Sequence, residues 1–302
     1  MMEDFLGDPV LGTYCFFRFK FDAFQRARLR MMWWVPELID SSGFSSGKTV
    51  VDWAYVNLRC ILLPDHHAGV YYPTFETAKN TFWTYYSSVY TPIFKAQLGR
   101  LDDRNETDTV QGAACFKAFY RSGSRMLLPA PSFMKQAATQ ASLRLNTLLV
   151  EEWTHIDAAS DGINAQLIGR VTRESWNQHH PVWCNHITFT APAKSQLHPA
   201  YPRYYGTMRE AAKGNPNMGV ASFSYKDYSD LPTTTGKSYR ERFRVQTTID
   251  SLRKKYEQDK AGWLGEGLGI WSRSGTGWFN EDAIGTCVEL GRRRNVQPQI
   301  AA

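Results

Sequence analysis

Apolar residues recur at helical spacing directly after Thr49 and predict an α-helix that Pro64 ends. The apolar positions are Val50, Val51, Ala54, Leu58, Ile61 and Leu62. Residues 33–39 predict a short strand before this helix, and residues 69–73 predict a buried strand after it. A second amphipathic helix is predicted over residues 75–89. Such alternation is typical of an α/β fold with a mainly parallel sheet and helices on both faces.

Further strands are predicted in the middle of the chain, over residues 114–120, 125–128, 143–152 and 183–190. The first two flank Ser122-Gly123-Ser124, which is typical of a hairpin turn. The strand over 143–152 is apolar and ends in two adjacent carboxylates, Glu151 and Glu152. In open α/β sheets ligands bind at the carboxyl ends of the strands, so these acids are candidate site residues.

The composition changes near residue 213, where Gly, Pro, Asn, Ser and Asp accumulate. A basic amphipathic helix is predicted over residues 247–259, and the Gly- and Trp-rich stretch 262–284 predicts turns and short strands. We therefore predict a core domain over residues 1–212 and a small linker or lid subdomain over residues 213–302.

With 302 residues, 43% of them hydrophobic and 21% charged, the chain is typical of a globular protein with a full core. It has no uncharged apolar run of about 18 residues, so no membrane span is predicted. Its five cysteines form no C-x-x-C pair, which favours reduced thiols over zinc. The net charge of +6 and clusters such as Arg26, Arg28 and Arg30 suit a phosphate backbone. Charge alone favours a solvated surface instead.

Residues 41–49, Ser-Ser-Gly-Phe-Ser-Ser-Gly-Lys-Thr, carry the candidate chemistry. Small residues let backbone N–H groups wrap phosphate oxygens, a Lys reaches the β- and γ-phosphates, and a hydroxyl ligates Mg²⁺. The predicted ATP-binding residues are Ser42, Gly43, Ser45, Ser46, Gly47, Lys48 and Thr49. The leading glycine of the G-x-x-x-x-G-K-[ST] pattern falls on Ser42, with Gly43 one position late. The alternative is a chance Ser/Gly loop before a helix.

Two acids complete this constellation, because a phosphate loop needs one carboxylate for the Mg²⁺ shell and one to orient water. Side chains alternate along a strand, so we expect Glu151 to face the metal beside Thr49 and Glu152 to face the water. The alternative is a strand that ends in a solvated acidic turn. Gln25, well before the loop, has the paired donor and acceptor that read an adenine edge, although a lone Gln is more often a surface residue.

Together these segments resemble the ATPase half of a phage large terminase subunit, the motor that packages double-stranded DNA. The resemblance rests on residues 42–49, 69–86, 148–152 and 189–192, and on the stretch 262–284, which resembles the segment before that family's nuclease domain. It implies a P-loop NTPase fold of the additional-strand, catalytic-glutamate type. The family's nuclease half is expected to be absent, since only Glu289 follows Asp282 as a carboxylate.

The resemblance implies a role for each matched residue. Lys48 and Thr49 bind the phosphates and Mg²⁺. Glu151 stands in the metal-shell position, where the family usually has Asp, and its longer side chain changes the metal geometry. Glu152 matches the catalytic glutamate. Thr190 matches the coupling motif that links the nucleotide state to movement; without the family, a Thr that ends a buried strand is the simpler interpretation.

Two further roles concern nucleotide contacts. Gln25 matches the adenine-contacting Gln of the family. Phe44 stands where many terminases carry an Arg, so a cationic finger for the γ-phosphate must come from elsewhere. Arg144, acting on a neighbouring subunit, is the first candidate, and Arg170 and Arg173 are the alternatives. For each of them a surface salt bridge is the competing interpretation.

The implied function is an ATPase motor domain that hydrolyses Mg-ATP to translocate double-stranded viral DNA into a procapsid. The implied partners are the DNA, a portal protein, a small terminase subunit and further copies of the chain in a pentameric ring. The implied location is the bacterial host cytoplasm, with transient docking on the procapsid. Two alternatives stay open: a helicase-like ATPase that depends on another nucleic acid, and a nucleotide-binding docking module without turnover.

Overall fold

Helices α1 (Met2–Gly7), α2 (Pro9–Phe17) and α3 (Ala23–Trp34) precede the first strand. They belong to a computed structural model that describes residues 2–43, 46–74, 80–81, 85–86, 88, 91–102, 115–129, 144–155, 168–175, 177–224, 254, 257 and 259–273. Asp8 caps α2, since its Oδ1 accepts the Val10 N–H at 3.1 Å. A capping box starts α3, in which Gln25 Oε1 accepts the Asp22 N–H at 3.1 Å. Both helices therefore begin at an Asp, as helix capping favours.

The strand predicted over residues 33–39 is wrong in its first half. Its two tryptophans form the last turn of α3, and strand β1 is Glu37–Asp40. Leu29, Met32 and Trp33 are fully buried at helical spacing, so one apolar helix face explains them better than a strand. The proline that follows the tryptophans separates the helix from the strand.

The other elements follow in chain order. Further helices are α4 (Lys48–Leu62), α5 (Pro92–Gln97), α6 (Tyr201–Ala212) and α7 (Lys260–Glu266). Further strands are β2 (His67–Tyr71), β3 (Leu98–Asp102), β4 (Cys115–Tyr120), β5 (Arg125–Pro129), β6 (Thr147–Glu151), β7 (His186–Thr190) and β8 (Met218–Ala221). The predicted helix after the loop and the predicted hairpin are thus confirmed as α4 and as β4 with β5.

Two predicted helices and one predicted loop region have different outcomes. The helices over residues 75–89 and 247–259 lie largely outside the described residues. The turns and short strands predicted from residue 262 on are wrong at the start, where α7 forms. Asp259 caps α7, since its Oδ1 accepts the Gly262 N–H at 2.9 Å, and this capping signal was present in the sequence.

The described strands form one eight-stranded sheet in the order β3-β4-β5-β2-β6-β7-β1-β8. Strands β5, β2, β6, β7, β1 and β8 run parallel, and β4 is antiparallel to both of its neighbours. The mainly parallel α/β sheet is therefore confirmed. β7 lies between β1, which leads into the candidate phosphate loop, and β6, which ends in Glu151. It is the additional strand that the predicted fold type requires.

Side chains of the central strands alternate between two cores on opposite faces of the sheet. Leu149 belongs to the core that contains the buried faces of α2, α3 and α4, whereas Leu148 and Val150 belong to the other core. Tyr201 and Tyr204 of α6 pack against this other core. Helices on both faces are therefore confirmed, and both faces of the parallel sheet are apolar, as burial requires.

Strand β8 lies beyond residue 213 and pairs in parallel with β1. The main sheet thus continues into the predicted subdomain of residues 213–302, and the division of the chain near residue 213 stays a prediction. None of the described helices combines the length and the apolar character that crossing a membrane requires.

Candidate nucleotide-binding site

Three neighbouring parallel strands end in one row at the carboxyl edge of the sheet. Thr190, the last residue of β7, is in register with Asp40 of β1 on one side and with Glu151 of β6 on the other. All three side chains are buried. Thr190 Oγ1 has no hydrogen-bond partner among the described residues. Since this edge is where parallel sheets bind ligands, the row forms the floor of the candidate site.

The first half of the phosphate loop is fixed by hydrogen bonds to the segment that follows β8. The Ser41 N–H donates to the Ala221 carbonyl at 2.8 Å, and the Gly43 N–H donates to the Phe223 carbonyl at 3.0 Å. The Phe223 N–H donates in turn to Ser42 Oγ at 2.9 Å. Ser42 therefore has a structural role in place of the glycine that the motif usually carries at this position. The predicted ligand Ser45 lies outside the described residues.

The second half of the loop ends at Gly47, whose φ of 69° lies in the left-handed region that glycine adopts without strain. α4 begins at the next residue, so its free N–H groups point toward the loop. Ser46 Oγ is buried and has no hydrogen-bond partner among the described residues. A loop that presents free N–H groups and an unpaired hydroxyl suits an anionic ligand.

Lys48 is buried, and its ammonium group is held by the loop itself. Nζ donates to the Ser42 carbonyl at 2.7 Å and to the Gly43 carbonyl at 2.9 Å. Burial lowers the pKa of Lys48, and the nearby charge of Asp40 opposes that shift. The ammonium therefore lies inside the loop, where a bound phosphate would compete with the two carbonyls for it.

Thr49 and Glu151 come together as the sequence predicts. Thr49 Oγ1 donates to Glu151 Oε2 at 3.4 Å, which links the start of α4 to the end of β6. Glu151 Oε1 is buried without a donor among the described residues. Mg²⁺ prefers such hard oxygen ligands and binds proteins through one or two carboxylates, so these residues fit a magnesium ion.

Asp52, one turn into α4, is a second buried carboxylate that sequence reasoning missed. Burial raises the pKa of Asp52, and burial together with the charge of Asp52 raises the pKa of Glu151 well above its usual value. Asp52 Oδ2 has no hydrogen-bond partner among the described residues. The signal was available, because Asp52 follows Lys48 by four residues and therefore shares its helix face.

Arg28 was grouped with surface arginines, and that interpretation is wrong. Only 1% of its surface is exposed, because it points from α3 into the site. It forms ion pairs with Asp40 and Asp52, and it donates to the Lys48 carbonyl at 2.6 Å. Helical spacing from the buried Phe24 and Met32 could have indicated that Arg28 faces inward.

Glu152 follows β6 with a φ of 52°, an uncommon value for a residue other than glycine. Its side chain is 32% exposed, and one carboxylate oxygen lies 3.4 Å from His155 Nε2. The two adjacent acids thus have different surroundings: Glu151 is buried beside Thr49 and Glu152 is half-exposed. The role of Glu152 toward water stays a prediction.

The three candidate finger arginines lie at the opposite edge of the sheet. Arg144 is exposed and precedes β6, whose carboxyl end carries Glu151. The Arg170 carbonyl accepts the Leu145 N–H at 2.8 Å, and the Arg173 guanidinium pairs with Asp65. The geometry does not bring any of the three to the site of their own chain. A finger role for them therefore requires a second subunit.

Gln25 is buried, and its Oε1 is used in the capping box of α3. The capping box therefore accounts for a Gln at this position, and no ligand contact is needed to explain it. Its predicted contact with adenine stays a prediction.

The segment after α7 packs directly on the phosphate loop. A Cβ built on Gly43 would lie 2.5 Å from the Gly267 carbonyl oxygen, which only glycine permits. Gly269, with a φ of 67°, approaches the Ser41 carbonyl, and its own carbonyl accepts from Ser222 Oγ at 2.8 Å. Residues 259–273 are therefore in backbone contact with the loop, although most of the sequence separates them.

Comparisons with known proteins identify the fold. No protein-family model and no curated protein matches the sequence. Among solved structures, the large terminase of a thermophilic bacteriophage superposes with a TM-score of 0.55 at 14% identity. The chain has the fold of a phage large terminase ATPase domain. The resemblance drawn from the motifs is therefore confirmed as a likeness of fold.

The extent of the match differs between the solved terminases. The alignment covers 83% of this chain and 54% of the thermophilic phage terminase, so the chain spans about half the length of that protein. A variant of the isolated ATPase domain of the large terminase from Thermus phage P74-26 has a TM-score of 0.53 at 12% identity, with 85% of this chain and 97% of that domain covered. Two further structures of the thermophilic phage terminase contain ADP and ATP-γ-S, with TM-scores of 0.53 and 0.52, each at 14% identity.

Proposed function

We propose that this chain is an ATPase motor domain that hydrolyses Mg-ATP to translocate double-stranded viral DNA into a procapsid. The contact of 3.4 Å between Thr49 and Glu151, beside the buried Lys48, carries the proposal. It joins a phosphate loop to an acid across an additional strand, which is the arrangement that Mg-ATP requires. The fold shared with terminases solved with ADP and ATP-γ-S supports a nucleotide as the ligand.

Each residue of the site has a defined part in this proposal. Lys48 exchanges its two loop carbonyls for phosphate oxygens, and the N–H groups of the loop bind the same oxygens. Thr49 and Glu151 would hold a Mg²⁺ ion, which would supply positive charge to stabilise the phosphates. Glu152 lies beside this site at the end of β6 and orients the attacking water as a general base.

The proposed function also involves a neighbouring subunit and a larger assembly. Arg144 completes the site of a neighbouring subunit, since its own edge of the sheet lies opposite the loop. Further copies of the chain therefore form a ring, a pentamer on the procapsid, that works with a portal protein and a small terminase subunit. The proposed location is the bacterial host cytoplasm. The resemblance to large terminases implies this assembly, and the shared fold supports the resemblance.

The experiment that tests the function is single-turnover ATP hydrolysis with and without double-stranded DNA. We expect hydrolysis that DNA stimulates, and its loss in Lys48→Ala, because the triphosphate then loses its point charge in the loop. Lys213→Ala is the matched control, since Lys213 is exposed and contacts Glu210 on the surface. Stimulation by another nucleic acid alone would favour a helicase-like ATPase. Nucleotide binding without turnover would favour a docking module.

A further inference from the structure

Arg28 is a buried cation whose position the proposed roles above do not explain. Its neighbours on α3, Arg26 and Arg30, are exposed, whereas Arg28 is 1% exposed. A guanidinium that leaves water loses a large hydration energy and persists only with good partners. Burial opposes its charge, but Asp52 and Asp40 outweigh burial and raise the pKa of Arg28. It therefore stays charged inside the site.

The contacts of Arg28 connect the two ends of the phosphate loop. Nε donates to Oδ2 of Asp40, the last residue of β1 before the loop. Nη1 donates to the Lys48 carbonyl at 2.6 Å, and Nη2 donates to Asp52 Oδ1 at 2.7 Å, both in the first turns of α4. One rigid, planar guanidinium thus connects Asp40, which precedes the loop, to the start of α4, which follows it, and fixes the distance between them.

Arg28 also determines which cation Asp40 binds. Burial raises the pKa of Asp40, but the charges of Arg28 and Lys48 outweigh burial and lower it. Oδ2 is occupied by Arg28, and Oδ1 accepts the Ser42 N–H at 2.8 Å. Lys48 Nζ therefore bonds to loop carbonyls instead of the carboxylate. Lys48 can leave a neutral carbonyl for a phosphate at a lower cost than it could leave a buried carboxylate. No unpaired charge then remains in the protein interior.

We propose that Arg28 is a positioning residue of the nucleotide site. It holds the two ends of the loop at a fixed separation, and it neutralises Asp40 so that Lys48 is available to the phosphates. This inference rests on the proposed function, because it assigns Arg28 a part in binding the same nucleotide. Without Arg28, the charge of Asp40 would compete with the phosphates for Lys48.

The test is a set of charge variants, measured by titration with a fluorescent ATP analogue in the presence of Mg²⁺. Arg28→Gln leaves Asp40 unpaired beside Lys48, and we expect nucleotide affinity to fall at least about tenfold, within the range of about 2- to 150-fold found for coupled residues of one network. Arg28→Gln/Asp40→Asn also removes the charge beside Lys48, whereas Asp52 stays without Arg28 and the link between the two ends of the loop stays lost, so we expect the double variant to recover part of the lost affinity. Arg26→Gln is the matched control, with no expected change.

The rescue separates positioning from mere structural support. If Arg28 only stabilised the fold, Arg28→Gln would lower the unfolding midpoint, the folded fraction would bind nucleotide normally, and Asp40→Asn would rescue nothing. That result overturns the inference. Should Arg28→Gln not fold, Arg28→Lys keeps the charge beside Asp40 but loses the planar fork that joins the two ends of the loop. We expect Arg28→Lys to bind nucleotide more weakly, and affinity equal to that of the unchanged protein would count against the inference.

The proposed function and the role of Arg28 would be contradicted by different results. If the unchanged protein binds no ATP analogue, the proposed function fails and the variants need not be compared. If the unchanged protein binds the analogue and Arg28→Gln binds it equally well, only the part assigned to Arg28 fails.

Discussion

Replacing Gly43 by alanine tests the backbone contact between the phosphate loop and the segment after α7. The new Cβ would lie 2.5 Å from the Gly267 carbonyl oxygen and 3.0 Å from both the Gly267 carbonyl carbon and the Glu266 carbonyl oxygen. All three are backbone atoms, so no side-chain rotation can relieve the overlap. Gly43 does not adopt a left-handed φ, and the cost is therefore steric rather than conformational.

The magnitude follows from two opposing terms. Forcing an extra carbon into a packed region costs about 1–3 kcal/mol. Alanine also restricts the unfolded chain, which stabilises the protein by about 0.4–1 kcal/mol at a compatible φ. We therefore expect Gly43→Ala to lower the free energy of unfolding by about 1–2 kcal/mol. The shift should appear in urea as a lower midpoint with an unchanged slope.

Gly206→Ala is the matched control for this measurement. A Cβ on Gly206 meets no atom within 4 Å, and the residue lies inside α6, where alanine is favoured over glycine by about 0.5–1 kcal/mol. The two variants should therefore shift stability in opposite directions. A Gly43→Ala protein as stable as the unchanged one would refute the contact between residues 259–273 and the loop.

Three further predictions address chemistry, assembly and pH. Glu152→Gln should bind ATP but not hydrolyse it, since an amide cannot polarise water, and turnover within a few-fold of normal would contradict that role. Arg144→Ala should lose activity by about 10³-fold or more, and mixing it with Glu152→Gln should restore some hydrolysis, which a finger acting within one chain would not allow. Burial lowers the pKa of His66 well below 6.5, so the unfolding free energy should fall by up to about 1.4 kcal/mol per pH unit below about pH 6.5. Urea unfolding at pH 7 and 5 measures this slope, which His66→Gln should reduce and His179→Gln, at an exposed position, should leave unchanged.

The sign of the pH effect follows from the surroundings of His66. Arg59 Nε donates to His66 Nε2 at 3.4 Å, so this nitrogen is an acceptor and the ring is neutral in the folded protein. In the unfolded chain His66 binds a proton near pH 6.5, whereas in the folded chain it stays neutral. The free energy of unfolding therefore decreases as the pH falls. A slope that stayed the same in His66→Gln would place the titrating group elsewhere.

The sequence predicted those parts of the site that local chemistry determines. Gly47, Lys48 and Thr49 lie within one loop and one helix start, and their order is required by the phosphates that such a loop binds. Glu151 could be placed beside Thr49 because a buried apolar strand must end at the ligand edge of a parallel sheet. The roles assigned to these residues stay predictions, whereas their proximity is a feature of the fold.

The parts that were missed depend on which side chains are buried and on contacts between distant segments. Arg28 lies 12 residues from Asp40 and 24 residues from Asp52, and no spacing rule connects them. The tryptophans before β1 suit a strand as well as a helix, and burial of one face of α3 decides between the two. The position of Arg144 at the far edge of the sheet could have been predicted by contrast, because Arg144 precedes the strand whose carboxyl end carries Glu151.

The contact between the loop and residues 259–273 suggests how nucleotide binding reaches the rest of the chain. Lys48 now holds the carbonyls of Ser42 and Gly43, and Gly43 is the residue that packs against Gly267. A phosphate that draws the ammonium away removes both of these hydrogen bonds, so the two carbonyls must find new donors or reorient. No side chain separates Gly43 from Gly267, so under the proposed function a rotation of the loop would pass directly to the segment after α7.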